Sequence, residues 1–286
     1  MTLGPLEEEL AKARAAYRDR GRWGAEDVLG TLNFIDDAIR AHAAGLVRRG
    51  RCFSLAQEFD APAAEHGRRA GTRWDGLGRG SATEQAWHGR SSTGTDGDGG
   101  GDDAVTGVER LRDAFTGRGV LLDVGRAVGD ARGELPDGHP ISEEQLRDTV
   151  EAQGATSSVR RGDIVLVRTG QLGRVRRLGA WERYVSGDAP GLSFTTLGWL
   201  HRTEIAAVAA DTWGLEVRPS GFAEPAAAPL HRIAVPHLGL PLGERWDLEA
   251  LAEDCAADGV YEFLLVAAPL PGSGAAGTPV NPIAVK

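Results

Sequence analysis

The run Asp163-Ile-Val-Leu-Val-Arg168 places four apolar residues in a row between two charges, the pattern of a short strand buried on both faces. Three further runs repeat it: Gly119-Val-Leu-Leu-Asp-Val124, Ile205-Ala-Ala-Val-Ala-Ala210 and Glu262-Phe-Leu-Leu-Val-Ala267. Helical patterns lie between and beside them. Ser142 with Gln145 forms a capping box for a helix over 143–153, Ser193 is placed to cap 194–202, and Asp247 to cap 248–256. Strands that alternate with helices predict an α/β chain.

Toward the N-terminus, Glu7, Glu8 and Glu9 precede Arg18 and Arg20, the charge order that suits a helix dipole, so a helix is expected over 6–20. Asp36 is placed to cap a second helix over 37–49, with a strand to follow over 51–59. From Asp60 to Thr106 apolar periodicity fails, and Gly94-Thr-Asp-Gly-Asp-Gly-Gly-Gly-Asp-Asp103 consists almost wholly of loop formers and acid. The cluster Asp96, Asp98, Asp102 and Asp103 has Gly107 where a calcium loop needs its bidentate Glu, so it reads as an acidic loop. The organisation expected is one domain over 1–286, with 1–50 a helical extension and 60–106 a long irregular loop.

Composition narrows the function classes. A hydrophobic content of 41% supports a folded core, and 32 basic against 41 acidic residues, net −9, argues against a general nucleic-acid binder. Lys12 and Lys286 are the only lysines, so each arginine has to be judged by its context. Two cysteines, Cys52 and Cys255, suit free thiols in a reducing compartment, and no apolar stretch approaches the roughly 20 residues of a membrane span, so a cytoplasmic protein with no membrane partner is expected. There is no G-x-S-x-G elbow, Walker A loop, Cys-x-x-Cys pair or helix-opening G-x-G-x-x-G.

Five separated blocks carry a resemblance: Trp23-Gly-Ala-Glu-Asp-Val-Leu-Gly-Thr-Leu-Asn33, Gly117-Arg-Gly-Val-Leu-Leu-Asp123, Gly162-Asp-Ile-Val-Leu-Val-Arg-Thr-Gly170, Ala210-Asp-Thr-Trp213 and Gly277-Thr-Pro-Val-Asn-Pro-Ile-Ala284. In this order they resemble the cyclase family that includes bacterial kynurenine formamidases, isatin hydrolase and some polyketide cyclases, over residues 22–286. The resemblance implies a swivelling β/β/α fold, with a mixed sheet partly closed into a barrel and flanking helices, commonly in homo-oligomers. It also implies a metal site. Amide-hydrolysing members carry H-x-G-T-H-x-D-x-x-x-H, whose first two His and Asp hold a divalent ion while the last His moves protons; a later His and Glu complete the shell.

Here the matching stretch is Arg69-Ala-Gly-Thr-Arg-Trp-Asp-Gly-Leu-Gly-Arg79. Gly71, Thr72 and Asp75 are kept, but Arg69, Arg73 and Arg79 stand where the histidines belong; His231 and Glu244 match the later ligands. A guanidinium stays protonated and has no lone pair to give a cation, so it neither ligates a metal nor acts as a base. The expectation is therefore no metal and no other cofactor. In its place stands a cationic site that binds an anion or a developing oxyanion.

Arg69, Arg73, Arg79, Asp75, His231 and Glu244 are the catalytic candidates, with His231 the preferred base and Asp75 and Glu244 read mainly as counter-ions. Trp74, Trp87 and His88 are the substrate-binding candidates, while Trp199 and Trp213 read as core and His66 as a solvated loop residue. The function expected is a metal-independent enzyme of natural-product, polyketide-like biosynthesis. It would catalyse cyclisation, addition or elimination on a carbonyl-rich or anionic small molecule, and replacing Arg73 by Met should abolish turnover with little change in melting temperature. The alternatives are a pseudoenzyme that binds an anionic metabolite or a partner, and a hydrolase with a rearranged residual metal site on Asp75, His231 and Glu244.

Overall fold

The structure is a computed structural model, and it describes residues 5–19, 21–57, 71–77, 108–223, 228–270 and 277–286. Its strands are β1 Cys52–Ser54, β2 Arg73–Asp75, β3 Thr116–Asp123, β4 Pro140–Ile141, β5 Ile164–Arg168, β6 Gly191–Leu192, β7 Ala207–Ala210, β8 Leu242–Glu244, β9 Glu262–Val266, β10 Gly277–Pro279 and β11 Ile283–Val285. Nine of them form one mixed sheet in the order β1-β11-β9-β3-β5-β7-β8-β2-β10, curled into a half-barrel, and β4 pairs with β6 apart from it. From β3 through β8 the pairings are parallel, and on either side they are antiparallel. This is the mixed α/β architecture expected from the sequence.

The consecutive apolar runs follow from burial on both faces. Val120, Leu122, Val165, Val167 and Val208 enter one core with the helices α1 Leu6–Ala16 and α7 Leu197–Arg202, whereas their alternates Leu121, Ile164, Leu166, Ala207 and Ala209 enter a second with α9 Glu249–Asp258. The helix α4 Glu143–Gln153 has the predicted bounds, with the Ser142 and Gln145 side chains and backbone N–H groups bonded reciprocally.

Other expected bounds need correction. The first helix ends at Ala16, where Tyr17 leaves helical geometry, and α2 Asp37–Ala44 ends at Gly45. Of the strand expected over 51–59, Cys52–Ser54 pairs with β11, Leu55 N donates to Pro282 O and Ala56 bridges Trp246, while 58–59 lie outside the described residues. The 194–202 helix opens as a tight turn, Phe194–Thr196, before α7. No described helix is long and apolar enough to cross a membrane.

Several of the blocks that carry the resemblance contribute to buried ionic clamps. Arg118 binds Asp163 at 2.6 Å and Glu262 at 2.8 Å, and Arg168 binds Asp123 and Glu249, each at 2.8 Å. Asp211 accepts bonds from Thr169 N, Thr169 Oγ1 and Gly170 N. These residues tie β3, β5 and β7 to one another and to α9, beside the strands that carry the site.

Candidate functional site

Strand β2 is only three residues long and is held by its neighbours. Its antiparallel register with β8 sets Arg73 opposite Glu244, and its register with β10 sets Asp75 opposite Gly277. Directly opposed and alternate residues share a face, so Arg73, Asp75 and Glu244 lie on one side of the sheet. Arg73 Nη2 reaches Asp75 Oδ1 at 2.7 Å. Gly277 makes room for this pair: a Cβ there would lie 2.4 Å from Arg73 Nη2 and 3.0 Å from Asp75 Oδ1.

Trp74, between the two, points the other way. It stacks on Phe115 with centroids 4.4 Å apart, meets Trp246 edge-on at 4.8 Å, and donates from Nε1 to Ala267 O at 2.8 Å. The expectation that Trp74 lines a pocket is corrected: strand alternation turns it into the core.

His231 opens the short helix α8 His231–Ile233, and its Nδ1 lies 2.5 Å from Glu216 Oε1. Glu216 also receives the backbone N–H groups of Leu230 and His231, at 3.1 and 3.4 Å, which fixes it at the start of that turn. With Nδ1 engaged, Nε2 is turned toward the carboxylates, 3.4 Å from Glu244 Oε1 and 4.0 Å from Asp75 Oδ2. Burial disfavours the charged imidazolium, but the contact with Glu216 and the proximity of Glu244 outweigh it and raise His231 to about 10. That value favours the protonated imidazole at neutral pH.

Arg245 completes the cluster. Its Nη2 donates to Glu244 Oε2 at 3.0 Å, its guanidinium sits 4.4 Å from the Trp213 ring centroid, and its N–H donates to Thr212 O. Burial, with Arg73 nearby, depresses its pKa although Glu244 counteracts. Arg245 has a φ of 63° and Leu215, next to Glu216, one of 59°, so two residues flanking the site hold left-handed backbone that ordinary side chains avoid. Thr72 Oγ1 bridges from Gln57 N to Arg245 O, and Gln57 Nε2 donates to the buried Tyr184 hydroxyl.

The structure therefore brings together Arg73, Asp75, His231 and Glu244, as the sequence led us to expect. Arg69, Arg79, Trp87, His88, His66 and the acidic loop lie outside the described residues. Glu216 and Arg245 are site residues that the sequence reading missed; for Arg245 the available signal was its place beside Glu244 in Gly243-Glu-Arg-Trp246.

One donor atom from each of Asp75, His231 and Glu244 lies within 4.8 Å of the others, a set that could hold a metal ion. The surroundings do not suit a divalent ion. Arg73 engages Asp75 and Arg245 engages Glu244, so a guanidinium already holds each carboxylate. A divalent ion would have to compete with these two guanidinium charges for the same carboxylates.

The sequence matches the family described as "Putative cyclase" over residues 33–217. The chain belongs to the cyclase family. A crystal structure described as a novel cyclase is 31% identical to this cyclase-family chain, with 96% of this chain and 99% of that one covered at a TM-score of 0.82. Isatin hydrolase A from Ralstonia solanacearum, 17% identical, covers 88% of this chain and 98% of its own at 0.57. Isatin hydrolase A from Labrenzia aggregata bound to benzyl benzoate, 18% identical, covers 86% and 96% at 0.53. The two hydrolases share the fold of the cyclase-family chain. No curated protein matches its sequence significantly.

Proposed function

We propose that this cyclase-family chain is an enzyme that acts on an enolisable carbonyl compound without a divalent metal, with guanidinium groups doing the electrostatic work. The observation that carries this reading is the Arg73–Asp75 pair at 2.7 Å, which sets a permanent cation among the carboxylates that would otherwise attract a metal. Arg73, His231 and Glu244 are the members that substrate can reach: their side chains are 14%, 12% and 7% exposed, against 0% for Asp75.

The chemistry follows from this placement. Guanidinium and imidazolium N–H groups aimed at one locus stabilise an oxygen on which negative charge develops. Glu244, beside His231 Nε2, is placed to take a proton from carbon while His231 delivers one to oxygen, which is the exchange that enolisation, addition and elimination share. The small molecule and the natural-product setting belong to this reading. Arg69 and Arg79 remain catalytic candidates in this reading by their place in the motif.

The test is deuterium uptake α to the carbonyl in a panel of enolisable ketones and keto acids, followed by NMR in D2O with and without a chelator. Exchange that survives chelation, falls about tenfold or more in Arg73→Lys and disappears in Arg73→Met supports the reading. Exchange lost on chelation and restored by one metal ion would overturn it in favour of a hydrolase with Asp75, His231 and Glu244 as ligands.

A further inference from the structure

Arg218 stands apart from the other cations of the region. Arg73, Arg245 and His231 each have a carboxylate within 3.0 Å, whereas Arg218 has no ion pair among the described residues. Its Nη1 donates to Val185 O at 2.8 Å and its Nη2 to Tyr184 O at 3.1 Å, and its buried Nε has no hydrogen-bond partner. Two backbone carbonyls therefore fix the plane of the guanidinium and leave one strong donor unmet.

The stretch 215–218 is pinned by backbone bonds from Leu192 N to Leu215 O, from Val217 N to Leu192 O and from Arg218 N to Ala189 O. Val217 is buried between Glu216, which holds His231, and Arg218. Residues two apart on an extended stretch share a side, so Arg218 follows Glu216 on the side of the site. Burial disfavours the charged form of Arg218, and Glu244, Tyr184 and the exposed Asp188 only partly restore it.

From this we infer that Arg218 is the anchor for a carboxylate carried by the substrate, so that the substrate class is a keto acid or an enolised equivalent. This rests on the reading of the site given above and deepens it. A carboxylate that accepts from Nε brings a charge of the sign that the guanidinium lacks, and it holds the reacting carbonyl at a fixed offset toward Arg73 and His231.

Phenylacetate and the neutral, nearly isosteric phenylacetamide are the probes, titrated by calorimetry into wild type, Arg218→Gln, Arg218→Lys and Arg73→Lys. Arg218→Gln keeps a polar side chain without the charge, and its circular dichroism and melting temperature control for folding. We expect phenylacetate to bind wild type at least tenfold more tightly than phenylacetamide, with that preference lost in Arg218→Gln and partly kept in Arg218→Lys. Equal affinity of a folded Arg218→Gln and wild type for phenylacetate, or absence of phenylacetate binding to wild type, would overturn the inference. If Arg218→Gln binds normally while deuterium exchange still depends on Arg73 and not on metal, the anchor is wrong and the metal-free site stands. If exchange requires a metal, the reading of the site itself fails.

Discussion

Asp75 is fully buried, and the guanidinium of Arg73 is its close counter-ion. Taking that counter-ion away is costly. Arg73→Met is therefore expected to lower stability by about 3–5 kcal/mol as well as to remove activity, and Arg73→Met with Asp75→Asn should recover most of the loss. Chemical denaturation of the two variants checks this, and it replaces the sequence-based expectation of a nearly unchanged melting temperature. The cysteines give a second contrast. Cys255 is buried beside Lys286, and burial pushes its thiol up to about 12, while Cys52 is exposed. A thiol reagent at pH 8 should label Cys52 alone in the folded protein and both residues after unfolding. Between pH 9 and 12 the unfolded chain releases a proton that folded Cys255 keeps, so this group makes stability fall as pH rises. Cys255→Ala should flatten that slope, measured by denaturation at several pH values.

Elements differ in how far their own sequence announces them. Strands β3, β5, β7 and β9 and the capped helix α4 are legible within a few residues, since each is long enough to show a period or a cap. Strands β2, β8 and β10, with three residues each, have no period to read, and only pairing defines them. The site lies on two of these, so the kinship of Arg73, Asp75, His231 and Glu244 was visible through resemblance, and the sidedness of Trp74 was not. Glu216 and Arg218 precede His231 in a stretch without helical or strand pattern, which is why they went unread. Ser142→Ala removes one half of the capping box on α4 and should cost about 1 kcal/mol by thermal denaturation. Gly277→Val on β10 should do more, because its side chain would collide with Arg73 and with the backbone of Trp74. We expect a loss of about 1–3 kcal/mol in denaturant unfolding, with reduced deuterium exchange activity.

Across the molecule, buried ionic clamps and parallel strands form a centre to which the ends of the sheet are added. Arg168 is the centre of one clamp, and Arg168→Met should cost about 3 kcal/mol in urea unfolding because it leaves the buried Asp123 with Arg126 alone as counter-ion. The order of the sheet has a further consequence. In β2, the residues that carry the charges are joined on one side to a strand some 170 positions later in the chain and on the other to one some 200 later. Contacts of such long range require large loops to close before they contribute, so they form late and open early. The protein can thus pass through a species that keeps β3, β5, β7 and β9 and most of both cores while β2 and β10 have detached. In that species Arg73 and Asp75 face solvent, and Glu244 and His231 lose their opposite wall. Catalytic competence is then lost at a lower free-energy cost than the fold itself, and backbone amides of β2 exchange with solvent through that partial opening, ahead of those in β5.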